Sequence, residues 1–163
     1  MANCPFTTKY LNYESQAVVD YFCDSKDEDI LSSGKCIFHD EDYLQSDSLE
    51  EKNNVRAKLM IKVAGSIAGN GALVCIGYYL PDVTIAESFI KPAYFKQCRF
   101  QGRADFSSAE FSEAADFSST NFFEITEFSF AKFSGEADFA TAFFREAHFD
   151  SAKFSGQADL PLG

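Results

Sequence analysis

Phenylalanine recurs through the second half of this 163-residue chain at steps of five and six residues. In the stretch ADFSSAEFSEAADFSSTNFFEITEF it stands at Phe106, Phe111, Phe117, Phe122 and Phe128. Extending the register both ways gives the apolar centres Ile85, Ile90, Phe95, Phe100, Phe106, Phe111, Phe117, Phe122, Phe128, Phe133, Phe139, Phe144, Phe149, Phe154 and Leu160. Two residues before each stands a small or moderately small side chain, from Val83 and Ser88 through Ala93, Cys98 and Ala104 to Ala158. Positions i and i−2 share a face only in an extended chain, whereas a helical repeat needs steps of three and four. The chain is therefore extended in short pieces, each a small-x-large triplet followed by a two- or three-residue corner.

Four such pieces close a roughly square coil whose triplets point inward, and successive coils stack at the ~4.8 Å spacing of neighbouring strands. The rings then fill the axis and the small residues leave them room. A small residue, a variable one, a central Phe or Leu and two more, repeated over fifteen units, resembles the pentapeptide-repeat family. The resemblance covers about half the chain and implies a mainly β fold, a right-handed quadrilateral β-helix. Between Phe100 and Phe144 the coils are 22 residues long instead of 20, because extra corner residues sit at Gln101-Gly102-Arg103, Ser112-Glu113-Ala114, Phe123-Glu124-Ile125 and Ser134-Gly135-Glu136. Another long corner follows at Ser155-Gly156-Gln157, but Arg145-Glu146 is short.

The register also assigns outward residues to four faces. Face one carries Thr84, Asp105, Glu127 and His148; face two carries Phe89, Glu110, Lys132 and Lys153. Face three carries Tyr94 and then a ladder of Asp116, Asp138 and Asp159, while face four carries Arg99, Asn121 and Phe143, near the corner residues Phe123 and Arg145. Like charges at sheet spacing cost stability unless solvent screens them or something cationic meets them. Neighbouring exposed rings mark a contact surface. Asp116, Asp138, Asp159, Phe123, Phe143 and Arg145 are accordingly the candidate interface residues, with burial under the N-terminal segment as the alternative for the rings.

A net charge of −11 argues against direct nucleic-acid binding and against an anionic membrane surface. The window Leu59 to Leu80 is long enough to span a bilayer but carries Lys62, Asn70 and several glycines, and reads better as a helix end, an Asn70-Gly71 turn and a strand. The N-terminal MANCPFTTKY has no apolar signal core, so a cytoplasmic location is expected and the five cysteines are expected as thiols or metal ligands.

A stacked coil exposes its end edges, which need covering. Ser48-Leu49-Glu50-Glu51 is a capping box opening a helix through about Ala64, with Val55, Leu59 and Val63 on one stripe. Leu73 to Leu80, stopped by Pro81, reads as a strand leading into the first coil. Upstream, Cys4, Cys23, Cys36 and His39 could supply three thiolates and an imidazole to a tetrahedral zinc ion. The Cys36-x2-His39 spacing resembles the second half of small treble-clef-like zinc knuckles; the first half departs from them, because eighteen residues separate Cys4 from Cys23. Buried free thiols with a satisfied His39 are the alternative. The expected organisation is thus a cysteine-containing segment over 1–45, a capping helix and strand over 46–82, and the β-helix over 83–163.

No catalytic constellation emerges. His148 is expected on a solvated face beside acids, and Gly65-x3-Gly69-x-Gly71 lacks the setting of a nucleotide loop. A rigid tube with regular faces suits a non-enzymatic protein-interaction scaffold. The resemblance implies a second function, since some pentapeptide-repeat proteins mimic B-form DNA and bind DNA gyrase; the repeat segment here has only five more acids than bases. With only Pro161-Leu162-Gly163 after the last centre, the coil end is expected either to continue or to pair with a second copy as a homodimer.

Overall fold

A computed structural model describes residues 3–45 and 48–161. The expected tail residues Leu162 and Gly163, and the expected segment boundary at Ser46, lie outside them. The chain forms a β-solenoid of about four turns, preceded by an antiparallel hairpin, β1 (Thr7–Asn12) with β2 (Ala17–Phe22), and one helix, α1 (Leu49–Ala68).

The solenoid rungs are two-residue strands stacked in parallel columns. Face three is the longest, running Leu73–Val74, Ala93–Tyr94, Ala115–Asp116, Ala137–Asp138 and Ala158–Asp159. The coil thus begins at Leu73, earlier than the register from Val83 suggests: Leu73 pairs with Ala93, and Tyr79–Leu80 pairs with Arg99–Phe100. In the middle of the solenoid Glu110 pairs with Lys132 and Asn121 with Phe143, both 22 residues apart, while Glu127 pairs with His148 at 21. The ladder slips between Phe122 and Ile125, where the long corner Phe123-Glu124 bulges over the short corner at Arg145.

Inside, rings of successive coils stack nearly flat. Phe95, Phe117 and Phe139 lie 5.1 and 5.1 Å apart in one column, and Phe100, Phe122 and Phe144 lie 4.9 and 4.8 Å apart in another. Within a coil neighbouring columns meet edge to face, as Phe106 meets Phe117 at 5.2 Å and 80°. Each buried ring stabilises by roughly 1.5–3 kcal/mol relative to exposure. The small i−2 residues are buried beside them at Ala93, Cys98, Ala104, Ala109, Ala115, Thr120, Thr126, Ala131 and Ala137.

Two expected core positions are corrected. Ile90 is 53% exposed and Phe89, expected outward, is 3% exposed. The corner after Ile85 is one residue shorter and the next one longer, so that Phe89 lies opposite Phe111 and stacks on it at 5.3 Å. A ring completes that aromatic column where a branched aliphatic would interrupt it. Leu160 is 49% exposed because no further rung among the described residues lies over it.

The corners follow one plan. After Phe95, Phe106, Phe117, Phe128, Phe139 and Phe149, the carbonyl of the ring residue accepts the N–H three residues on. The second corner residue is then left-handed although never glycine: Gln97, Ser108, Ser119, Phe130, Thr141 and Ser151 have φ of 56–61°. Several aspartates serve these corners. Asp105, Asp116 and Asp138 each accept, through Oδ1, the backbone N–H two residues on, from Ser107, Ser118 and Ala140. At the long corners coils approach too closely for a side chain, and a Cβ on Gly135 would lie 2.6 Å from the Glu113 carbonyl oxygen.

Helix α1 starts where the capping box places it, with Ser48 Oγ accepting the Glu51 N–H at 3.3 Å, and it continues to Ala68. Its buried stripe of Val55, Leu59 and Val63 packs on the first rungs.

Candidate metal centre

The hairpin explains the long interval between the first two cysteines. Thr7 pairs with Phe22, and the Cys23 N–H donates to the Phe6 carbonyl at 3.3 Å, so Cys4 and Cys23 leave the open end of the hairpin side by side. The intervening residues are Pro5 and Phe6, the two strands and a four-residue loop, whose Glu14 and Ser15 N–H groups Asn12 Oδ1 accepts at 3.0 Å. The other half comes from a tight loop. Ile30 bridges Cys36, Gly34 turns the chain at φ +83°, and the Cys36 carbonyl then accepts the N–H groups of His39 and Asp40, both at 3.0 Å. That turn puts the Cys36 and His39 side chains on one side. Asp40 anchors the loop by accepting Ser33 Oγ at 2.5 Å and the Asp42 N–H; the Ser33 bond holds its carboxyl below the usual range.

One donor atom from each of Cys4, Cys23, Cys36 and His39 lies within 4.8 Å of the others. Cys23 Sγ is 3.7 Å from Cys36 Sγ, and His39 Nδ1 is 3.1 Å from Cys36 Sγ and 3.5 Å from Cys4 Sγ. A tetrahedral ion with metal–sulfur bonds of about 2.3 Å and a metal–nitrogen bond of about 2.0 Å separates its sulfurs by about 3.8 Å and sulfur from nitrogen by about 3.5 Å. The group could therefore hold a metal ion. The three cysteines are free thiols, none of them in a disulfide.

The histidine is set for ligation by what its other nitrogen does. His39 Nε2 lies 2.8 Å from the Ile76 carbonyl, which can only accept, so Nε2 carries the proton and Nδ1 keeps its lone pair for the sulfur cluster. The ring stacks on Phe6 at 4.0 Å and meets Tyr78 edge-on at 5.2 Å. Phe6 in turn sits over Gly77, which has φ +71° and whose Cβ would lie 2.3 Å from that ring. Cys4, Cys36 and His39 are buried and Cys23 is half-buried. The contact with Cys36 lowers the Cys23 thiol, helped by His39 and Ser25, while the same contact and burial push Cys36 up.

The same hairpin changes the reading of the aspartate ladder. Its outer end lies along face three, where Tyr10 and Tyr13 pack on Tyr94 at 5.0 and 6.0 Å and the Tyr94 hydroxyl accepts the Tyr13 N–H at 2.8 Å. Asp116, expected on an outward surface, is 2% exposed beneath it. Burial raises its carboxyl, opposed by two bonds from Ser118 and by Lys96, whose Nζ donates to Ser118 Oγ at 3.0 Å. Asp138 accepts the Tyr13 hydroxyl at 3.2 Å, and Asp159 is exposed.

Face four stays open. Phe143 is 56% and Phe123 44% exposed, with Ile125 at the same corner, and Arg145 donates to Glu124 at 2.9 Å. Toward the hairpin this face borders a cleft of about 500 Å³ whose lining includes Phe6, Lys35, His39, Tyr79, Arg99 and Asn121 and contains no carboxylate. His148, on face one, is held between Glu127 at 3.0 Å and Glu146 at 2.9 Å. Tyr94 was expected on outward face three but not under a cover, and Tyr13, Ser25 and the Ile76 carbonyl were not singled out from sequence; the local hint was the pair of β-prone runs TTKYLN and AVVDYF flanking an Asn-led turn. No helix among the described residues is long and apolar enough to cross a membrane. No protein-family model matches the chain, and neither a curated protein nor a solved structure matches it significantly.

Proposed function

We propose that this chain is a non-enzymatic protein-interaction scaffold of the pentapeptide-repeat type, whose N-terminal hairpin is clamped to the coil by one zinc ion. The observation that carries the scaffold reading is the contrast between two faces. Face three is covered by the chain's own hairpin from Tyr94 to Asp138, whereas face four leaves Phe123 and Phe143 in water beside an acid-free cleft in a chain of net charge −11. A partner with an apolar ridge flanked by acids suits that surface. Zinc is the metal that three sulfurs and one imidazole favour, and four protein ligands leave no open position for catalysis. Such thiolates persist in a reducing compartment, which suits the cytoplasm.

Affinity capture with wild type and the Phe123→Ser/Phe143→Ser variant tests the scaffold reading. A partner lost only with the variant supports it, and an unchanged set of captured proteins removes face four as the interface. Metal analysis of untagged protein tests the clamp, with one equivalent of zinc expected. Mimicry of DNA toward gyrase is the alternative, and it has less support because the acidic row it requires is interrupted by buried Asp116 and bonded Asp138. A supercoiling assay in which the protein inhibits gyrase would revive it.

A further inference from the structure

The four donors of the cluster are unequally protected. Cys36 is 0%, His39 5% and Cys4 6% exposed, whereas Cys23 is half-buried, and its Sγ contacts the Ser25 hydroxyl at 3.2 Å. An oxidant arriving from solvent meets this sulfur first. The neighbouring acceptor is already in place, since Cys36 Sγ lies 3.7 Å away and a disulfide is about 2.05 Å long. Cys36 sits inside the turn whose carbonyl binds the His39 and Asp40 N–H groups, while Cys23 lies just beyond the last residue of β2, its N–H donated to the Phe6 carbonyl.

Resting on the metal-centre reading above, we propose that Cys23 is an oxidation site through which a hydroperoxide opens the clamp. The Cys23 sulfur attacks the peroxide, the O–O bond breaks, and a sulfenic acid forms with release of hydroxide or alkoxide. The Cys36 thiolate then attacks the sulfenic sulfur, forming the Cys23–Cys36 disulfide and expelling hydroxide. Two electrons leave the two sulfurs and reduce one peroxide, and two protons from solvent complete the water. With two of four ligands gone, Cys4 and His39 do not retain the ion. The hairpin loses its anchor at the metal end, leaving it the tyrosine contacts to Tyr94 and Asp138 over the face that covers Asp116. A thiol reductant together with zinc closes the clamp again.

The test uses the full chain loaded with zinc and treated with hydrogen peroxide. Released metal is read with a chromophoric chelator and disulfides are mapped by peptide mass spectrometry. Release of one zinc per chain in step with a Cys23–Cys36 disulfide, reversed by dithiothreitol and zinc, is the expected result. A Cys23→His variant keeps four ligands and should release zinc at least tenfold more slowly. Zinc retained through a tenfold excess of peroxide, a disulfide that omits Cys23, or equally fast release from Cys23→His overturns the proposal while leaving the metal centre standing. Protein that neither carries nor takes up zinc overturns the metal centre and the oxidation site together.

Discussion

The solenoid and the N-terminal hairpin are held by opposite means. In the solenoid the inner rings contact the ring one coil away and rings of the neighbouring columns, as Phe117 does with Phe95, Phe139 and Phe106, so stability is spread over many equivalent neighbours. The hairpin depends on a few unlike contacts: the candidate metal ligands at one end, buried Tyr21 against Ile76 and Tyr94, and Tyr10 and Tyr13 at the other end. A repeat tolerates local error because its neighbours still stack. A clip made of unique contacts fails when one of them is removed.

The widest separation between the two regions is expected from metal removal or from Cys36→Ser, which takes out the ligand nearest both His39 and Cys23. Hydrogen exchange should show β1 and β2 losing essentially all protection while the rungs around Phe117 keep theirs. Equal loss in both regions would show that they unfold as one unit and would end the comparison. The reverse experiment is Phe117→Ala. Phe117 is fully buried and stacks on Phe95 and Phe139, so its loss should cost about 3–5 kcal/mol in denaturant unfolding of the coil. Zinc content, if the two regions are independent, should stay unchanged in that variant.

These two experiments also mark what the sequence made legible. The coil was legible because a solenoid writes its geometry locally: a triplet and its corner are consecutive, so the inner column and the bulge at Phe123-Glu124 follow from counting. The register error at Ile90 arose where two apolar residues, Phe89 and Ile90, compete for one slot, and stacking on Phe111 decides in favour of the ring. The four candidate metal ligands were legible by residue type but not by placement, because the approach of Cys4 to Cys23 depends on hairpin register. The cover over the aspartate ladder was not legible, since nothing near Asp116 indicates that Tyr10 and Tyr13 lie over it. The aspartates themselves have a local role that the sequence hid, capping corner N–H groups at Asp105, Asp116 and Asp138.

A smaller effect tests how much strain the regular corners hold. Phe130 is 62% exposed and left-handed at φ 61°, a conformation that costs a bulky residue roughly 1–2 kcal/mol. Phe130→Asn should therefore stabilise the coil by about 1 kcal/mol in urea unfolding, because asparagine tolerates that conformation and little packing is lost. Destabilisation would mean that the exposed ring packs on its neighbours more than it strains the chain. The clip should be indifferent, with hairpin protection the same in both proteins.

The smallest expected effect is a pH dependence confined to the coil. His148 bonds to Glu127 and Glu146, which raise its pKa above 6.5, the Glu127 bond contributing most. A group whose folded pKa is raised adds stability that is fully present below its unfolded pKa and is lost as pH rises through the folded value. The protonated imidazole should thus help to hold the last two coils together at pH 5.5 and cease to do so by pH 8.5. Its exposed position makes the contribution small and sensitive to salt. The Tm of wild type should exceed that of His148→Gln at pH 5.5, and the gap should close toward pH 8.5 and in high salt. A gap that does not change with pH would assign the contact to neutral hydrogen bonding. A gap that follows zinc content would show that the last coils and the hairpin are coupled after all.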